Sequence, residues 1–115
     1  MGMLATAMNC LAVADVFKQF GAEARVMTAV DIQGVGERYD TKKAIEYLES
    51  GKIVLFGCGT GMPFFSTDTA AALRAAEIRA DAILLAKNID GVYSADPRRD
   101  PTAVKFDEIS YDEVL

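Results

Sequence analysis

Histidine is absent from this sequence of 115 residues. Its absence excludes the commonest general base of enzymes, and with it Ser-His-Asp catalysis. It also excludes most zinc sites, because imidazole is a usual zinc ligand. If the chain takes part in catalysis, the chemistry must depend mainly on positioning and on the stabilisation of charge. Phosphoryl transfer is the leading example of such chemistry.

The sequence also has few cysteines, no large cluster of basic residues and no long apolar run, and each of these excludes a class of protein. The two cysteines are too few for a disulfide framework, which favours a reducing cytoplasm. Lysine and arginine form no cluster larger than a pair and the net charge is −5, so a nucleic-acid surface is not expected. No apolar run approaches membrane-spanning length, and the N-terminus lacks the cationic region of a signal peptide. The sequence therefore predicts a cytoplasmic protein that binds neither nucleic acid nor membrane.

The rest of the composition indicates a folded globular chain, since apolar residues make up 51% of the total. The length allows no more than one domain. Hydrophobic periodicity and turn residues predict six elements: helix 1–20, strand 25–30, a helix from Asp40 or Thr41 to a stop at Gly51, strand 53–56, helix 69–80 and strand 82–86. Strands that alternate with helices in this way are typical of an α/β fold with a parallel sheet.

The predicted helix over residues 1–20 is apolar on almost every side. Leu4, Met8, Leu11 and Phe17 are spread along it, and alanine occupies many of the remaining positions. A helix on the surface of a small monomer normally has one polar face. The pattern therefore predicts that the chain self-associates through this helix.

The two ends of the sequence predict a piece of a longer protein. The chain opens inside a helix that has no N-cap residue. It closes on Ser110-Tyr111-Asp112-Glu113, a capping-box pattern of Ser followed by Glu three residues later. Only two residues remain for the helix that this pattern announces.

The segment from Gly59 to Thr69 lies between an apolar strand and an alanine-rich helix. Small residues let backbone N–H groups approach a ligand there, and the unpaired amides of the first helical turn suit an anion. Three hydroxyl groups, on Thr60, Ser66 and Thr67, add side-chain donors. We call residues 60–67 the hydroxyl loop, and expect it to bind a phosphate-bearing ligand. An ordinary turn capped by one of its polar residues remains the alternative.

The hydroxyl loop follows neither of the best-known phosphate-binding patterns. The Gly-Lys-Ser/Thr of a P-loop occurs nowhere in the sequence. The dinucleotide fingerprint is also excluded, because Met62-Pro63-Phe64-Phe65 stands where a third glycine would be required. Two large aromatic residues are unusual in a purely structural turn. A ring beside a phosphate pocket suits a nucleobase or a sugar.

A second candidate site is the segment from Lys87 to Pro97, which follows the predicted strand 82–86. Ligands of open α/β sheets lie beyond the carboxyl ends of the strands. Tyr93 has a ring that can stack on a base. The alternative is a surface loop with one packed tyrosine.

Three stretches of the sequence resemble the bacterial uridylate (UMP) kinases, which have the amino acid kinase fold. They are Met1–Thr6, Gly59–Arg74 and Asp90–Pro97. The resemblance implies a three-layer α/β/α sandwich with a mainly parallel sheet, of which residues 1–115 form a partial amino acid kinase domain. It also implies ATP-dependent phosphorylation of UMP to UDP, a step of pyrimidine nucleotide biosynthesis.

The resemblance assigns roles to individual residues. The implied UMP-binding residues are Thr60, Gly61, Met62, Pro63, Phe64, Phe65, Ser66 and Thr67. The implied ATP-binding residues are Asn88, Tyr93 and Asp96. Asp68 matches the acidic residue that orients catalytic lysines in the superfamily. No protein metal ligand is implied, because Mg²⁺ is expected to be held mainly by the nucleotide phosphates. The family usually has Asn where Met62 stands and Thr where Ser66 stands.

Several parts of the family pattern are missing from this sequence. They include the lysine-bearing phosphate loop, the glycine-rich loop with its arginine and the acidic residue that holds the uridine ribose, all from the family's N-terminal part. The GTP-effector segment and the C-terminal strands and helices are missing as well. Phosphoryl transfer needs cations on the migrating group, and the hydroxyl loop contains none. We therefore expect no measurable UMP kinase activity from this polypeptide alone.

Two other interpretations accompany this one. The first is a non-catalytic module, derived from an amino acid kinase, that binds nucleotides or mediates oligomerisation. The second is a relative that phosphorylates a carboxylate, although Phe64-Phe65-Ser66-Thr67 favours the uridylate branch. The family packs the helix that matches residues 1–20 at a dimer interface within a hexamer. The resemblance therefore also implies a homo-oligomer.

Overall fold

The computed structural model describes residues 2–114. The chain divides into two compact units, of which the first ends at Ile83 and the second begins at Leu84. The elements of the first unit are α1 (Gly2–Gln19), β1 (Ala24–Thr28), β2 (Glu37–Arg38), α2 (Thr41–Glu49), β3 (Ile53–Gly57) and α3 (Thr67–Glu77). Those of the second unit are β4 (Val92–Tyr93), β5 (Lys105–Phe106) and α4 (Tyr111–Val114).

The first unit contains a parallel sheet of three strands in the order β2-β1-β3. Strand β1 is central and pairs with β3 from Ala24↔Ile53 to Thr28↔Gly57. Met27 and Thr28, which are fully buried, lie at the end of β1 nearest the hydroxyl loop. The chain therefore enters the hydroxyl loop from the most buried end of the sheet.

Helices α1 and α2 cover opposite faces of this sheet. A Cβ atom placed on Gly57 would lie 3.3 Å from Cys10 Sγ, so α1 lies on the face to which Gly57 points. Arg25 is paired with Val54 and points to the other face, because side chains alternate along a strand. Its guanidinium lies 5.4 Å from the centre of the Tyr47 ring on α2. The expected α/β/α layering with a mainly parallel sheet is confirmed.

Capping residues set the helix boundaries much as the sequence predicts. The Asp40 side chain accepts a hydrogen bond from the Lys43 amide at 2.8 Å. Asp40 is therefore the N-cap, and α2 begins at Thr41. The Ser66 hydroxyl accepts from the Thr69 amide at 3.1 Å and caps α3. Helix α3 therefore begins two residues before the predicted start. It also ends earlier than residue 80, since Arg79 adopts a left-handed backbone with φ of +56°.

The predicted strand over residues 82–86 is wrong. This segment forms neither helix nor strand, and the Leu84 side chain within it is 93% exposed. A strand is stabilised by hydrogen bonds from a neighbouring strand, and no strand pairs with this segment within residues 2–114. The apolar pattern of residues 82–86 indicated that these side chains tend to be buried. It carried no information about whether a neighbouring strand was present to pair with them.

The exterior of α1 confirms the pattern seen in its sequence. Ala7 is its one buried residue among those described. Leu4, Met8, Val13 and Val16 are all exposed, and they lie on more than one side of the helix. Within residues 2–114, no helix is long and apolar enough to span a membrane.

The second unit is built on a short antiparallel hairpin. Strands β4 and β5 pair through Val92↔Phe106 and Tyr93↔Lys105. Near the end of the described chain, Glu113 Oε2 accepts hydrogen bonds from both the amide and the hydroxyl of Ser110. The glutamate half of the predicted capping box is therefore formed before α4, whereas the Ser110 hydroxyl donates to Glu113 and does not cap the Glu113 amide.

Candidate functional site

A sharp left-handed turn at the end of β3 leads into the hydroxyl loop. Cys58 has φ of +67° and Gly59 has φ of +59°, so two successive residues leave the usual backbone region. The buried Cys58 amide donates a hydrogen bond to Thr6 Oγ1 at 2.8 Å, which ties the turn to α1. The Gly61 amide donates to the Cys58 carbonyl at 3.0 Å and closes the turn.

Gly61 allows the loop to pass close to the end of the central strand. It has φ of +79°, and a Cβ atom there would lie 3.0 Å from the Ala29 carbonyl oxygen. A contact this short is tighter than most Cβ contacts, so a side chain would force the loop or the strand to shift by a few tenths of an ångström. Both the conformation and the surroundings of this position therefore favour glycine.

The hydroxyl groups of the loop make local hydrogen bonds. Thr60 Oγ1 accepts from the Met62 amide at 3.2 Å. Ser66 Oγ caps α3 and shares a 3.0 Å hydrogen bond with Thr69 Oγ1. The capping interpretation is thus confirmed for Ser66, and it does not conflict with a ligand at the same helix end. Thr67, the first residue of α3, is exposed.

A cavity of about 510 Å³ lies between the loop and the start of α1, and we call it the loop cavity. Seven of the eight residues predicted to bind UMP line it: Thr60, Met62, Pro63, Phe64, Phe65, Ser66 and Thr67. Gly2, Met3 and Thr6 contribute from α1. Phe64 is fully exposed and Phe65 largely so. The two rings are therefore available to a ligand and do not serve as core residues.

Two predicted residues of this region lie outside the lining of the loop cavity. Gly61 packs against Ala29, as described above. Asp68 lies in the first turn of α3, where a carboxylate interacts favourably with the helix dipole. Neither residue is among the described residues that line the cavity. The catalytic role of Asp68 stays a prediction.

The three residues predicted to bind ATP belong to the second unit. Tyr93 lies on β4, and its hydroxyl donates to Asp90 Oδ1 at 2.9 Å. That hydrogen bond, followed by one from Lys105, lowers the pKa of Asp90. Asp96 Oδ1 accepts from the Arg98 amide at 3.0 Å, and Asn88 is exposed. Their role in ATP binding stays a prediction.

Sequence reasoning missed a buried arginine that contacts the turn immediately before the hydroxyl loop. Arg74 is 8% exposed, and its Nη2 donates to the Gly59 carbonyl at 3.3 Å. Its Nη1 donates to Glu77 Oε2 at 2.7 Å, and its guanidinium carbon lies 3.8 Å from the centre of the Tyr39 ring. The Tyr39 hydroxyl also donates to Glu77 Oε2, at 2.6 Å. The sequence signal that could have revealed it is a single arginine among the alanines of α3, a helix that is otherwise expected to pack closely.

In the cluster of Arg74, Glu77 and Tyr39, the charge of the guanidinium is paired with that of the carboxylate. Hydrogen bonds from the Tyr39 hydroxyl and then from Arg74 lower the pKa of Glu77. Burial and the contact with Glu77 raise the pKa of Tyr39. The carboxylate therefore stays charged beside the guanidinium, and the tyrosine stays protonated.

A metal site built only from protein ligands is not found in the described part of the chain. No group of three or more Cys, Asp or Glu side chains within residues 2–114 is placed to hold an ion. The expectation that nucleotide phosphates hold Mg²⁺ stays a prediction.

Comparison with known proteins identifies the class to which this fold and loop belong. The profile of the amino acid kinase family matches residues 1–115, so the chain belongs to that family. It is 57% identical over 115 residues to a uridylate kinase of Oenococcus oeni, covering 99% of this chain and 47% of that protein. It is 54% identical over 116 residues to a uridylate kinase of Nocardioides sp., covering 100% of this chain and 49% of that protein.

Solved structures agree with the sequence comparison. The UMP kinase from Ureaplasma parvum superposes with a TM-score of 0.88 at 33% identity, covering 97% of this chain and 48% of that one. The UMP kinase from Bacillus anthracis gives a TM-score of 0.81 at 40% identity, covering 89% and 43%. The resemblance read from the three motifs is confirmed. The chain spans about half the length of the relatives that it matches.

Proposed function

We propose that this chain supplies the UMP-binding part of an ATP-dependent uridylate kinase. In the complete reaction, a phosphate oxygen of UMP attacks the γ-phosphorus of ATP, and UDP and ADP are formed. The observation that carries the proposal is the identity of 57% and 54% to uridylate kinases along the whole chain. The proposal includes a cytoplasmic location, a role in pyrimidine nucleotide biosynthesis and a homo-oligomer built through α1.

The loop cavity is the proposed site of UMP. The amides at the start of α3 and the hydroxyl of Thr67 are donors that suit the nucleotide phosphate. The exposed rings of Phe64 and Phe65 suit the uracil or the ribose. Asp68 would orient catalytic cations, and Asn88, Tyr93 and Asp96 would contact ATP. Mg²⁺ bound to the ATP phosphates would neutralise charge on the transferred group.

The chain alone is expected to bind UMP without phosphorylating it. The hydroxyl loop contains no lysine or arginine, whereas the migrating phosphoryl group requires cations around it. A coupled assay with ATP, Mg²⁺ and UMP should therefore detect no turnover. Turnover within a few fold of a full-length uridylate kinase would contradict this part of the proposal.

UMP binding is tested directly by calorimetric titration of the chain. UMP should bind more tightly than inorganic phosphate, because the base and the ribose add contacts with the aromatic rings. Thr67→Ala should weaken UMP binding by about tenfold, since it removes a donor to a charged phosphate. Ser50→Ala is the matched control, because the Ser50 hydroxyl caps α2 by donating to the Tyr47 carbonyl, and Ser50 is not among the residues lining the loop cavity.

Three results would contradict the assignment of the loop cavity. One is equal affinity for UMP and inorganic phosphate. Another is an equal loss of affinity in Thr67→Ala and Ser50→Ala. UMP binding that is unaffected by Thr67→Ala would place the nucleotide elsewhere on the chain.

A second candidate function is a non-catalytic oligomerisation or nucleotide-binding module. The observation that favours it is the exposed apolar surface of α1 at Leu4, Met8, Val13 and Val16. This surface suits association even where no phosphoryl transfer takes place. Adding the missing phosphate-loop and glycine-rich segments of a relative as a separate polypeptide distinguishes the two functions. Restored turnover supports the kinase part, whereas association without turnover supports the module.

A further inference from the structure

We propose that Arg74 is a positioning residue that holds the hydroxyl loop in the conformation required for ligand binding. The inference rests on the proposed function only in taking UMP as the ligand. Arg74 is not among the described residues that line the loop cavity. Its influence on a ligand in that cavity must therefore pass through the loop backbone.

The turn immediately before the hydroxyl loop has a strained backbone. Cys58 adopts a left-handed backbone, which is unfavourable for a residue with a side chain. Such a conformation persists only where the surrounding structure holds it. On one side, Thr6 accepts the hydrogen bond of the Cys58 amide at 2.8 Å. On the other side, Arg74 donates to the carbonyl of Gly59 at 3.3 Å.

Arg74 is itself held in place by Tyr39 and Glu77. Its guanidinium carbon lies over the Tyr39 ring, 3.8 Å from the ring centre, and its Nη1 donates to Glu77 at 2.7 Å. Glu77 in turn accepts from the Tyr39 hydroxyl at 2.6 Å. The side chain is therefore held by a ring and by a carboxylate before it contacts the loop. Such a fixed donor can impose a position on the Gly59 carbonyl.

The contacts made at position 74 suit arginine in particular. One planar guanidinium presents separate N–H groups to Glu77 and to Gly59 while it lies over the Tyr39 ring. A lysine can approach Glu77 as a point charge, but it cannot present this fork. Arg74→Lys should therefore keep the charge of the cluster and lose control of the loop.

The experiment compares Arg74→Met and Arg74→Lys with the parent chain. Amide hydrogen exchange is measured by NMR for Gly61, whose amide donates to Cys58, and for Ala29, whose amide donates to Gly57. Global stability is measured by urea unfolding, and UMP affinity by calorimetry. Arg25→Met is the matched control, because Arg25 also lies over a tyrosine ring but belongs to β1 and faces α2.

Arg74→Met should accelerate Gly61 exchange by roughly tenfold relative to Ala29, and should weaken UMP binding by a similar factor, because a charge-assisted hydrogen bond is lost. Arg74→Lys should accelerate Gly61 exchange relative to Ala29 by roughly threefold or more, because lysine also loses the hydrogen bond to the Gly59 carbonyl. Arg25→Met should change neither quantity. If Arg74→Met does not fold, Arg74→Lys decides the question.

The proposal is overturned if Gly61 exchange relative to Ala29 is unchanged in the folded Arg74 variants. Equal acceleration of both amides would overturn it too, since that result describes a general loss of stability. If the parent chain does not bind UMP, the proposed function fails, yet the exchange measurement still decides the role of Arg74.

Discussion

Single residues decide whether the backbone can pass between β3 and α3. At Gly61, a left-handed backbone coincides with a close approach to the Ala29 carbonyl. At Gly51, the backbone has nearly the same φ, +81°, but a Cβ atom would have no neighbour within 4 Å. Substitutions at these two glycines therefore separate the destabilisation caused by left-handed backbone strain from that caused by a steric clash of the new Cβ atom.

Gly61→Ala should destabilise the chain by about 2–3 kcal/mol, from left-handed strain together with displacement of the loop. Gly51→Ala should cost only about 1 kcal/mol, because strain acts there alone. Urea unfolding of both variants measures the difference. Equal losses would show that the approach of Gly61 to Ala29 does not constrain the loop.

At this scale, the sequence predicted the members of the loop but not its geometry. Motif spacing identified residues 60–67, and seven of these eight line one cavity. The left-handed backbone of Cys58 was not predictable, since glycine is the usual residue for that conformation. The contact of Arg74 with Gly59 joins residues 15 apart and depends on how α3 packs. Local patterns carry no such information.

Among the elements, α2 shows how a helix boundary is encoded by one side chain. Its N-cap Asp40 accepts a hydrogen bond from the Lys43 amide, and the helix is only nine residues long. Asp40→Ala should reduce the free energy of unfolding by about 1 kcal/mol, because that amide loses its partner. Asp40→Asn should be nearly neutral, since asparagine caps helices as well as aspartate does. Urea unfolding compares the two, and an equal loss in both would exclude capping as the cause.

The elements that were predicted correctly are those with local signals. Helix α2 begins after a capping aspartate and ends before Gly51, so its limits follow from neighbouring residues. Strand β2 was missed because Glu37 and Arg38 are charged and form a strand only by pairing with Met27 and Thr28. The segment 82–86 was predicted as a strand for the opposite reason, since it has the apolar pattern without a paired neighbour in the described chain. Pairing is a tertiary property.

At the scale of the whole molecule, the apolar exterior of α1 predicts self-association. Sedimentation at micromolar concentration should show a dimer or a larger species, because the exposed apolar side chains of this helix gain free energy by leaving water. Met8→Lys should shift the chain towards the monomer without unfolding it, since Met8 is 71% exposed. Leu84→Lys, at an exposed apolar position outside α1, should leave the mass unchanged. A monomeric parent chain would contradict the prediction.

The position of β3 at the end of the strand order also affects how the chain behaves in storage. One side of this strand carries main-chain N–H and C=O groups that β1 does not pair, and its residues Ile53–Gly57 carry no charge. Such an edge is a template for the addition of strands from other molecules. Lys52, immediately before the strand, supplies the kind of charge that discourages this pairing. Because this one charge lies outside the uncharged strand itself, concentrated solutions of the chain should still aggregate slowly by strand addition at β3.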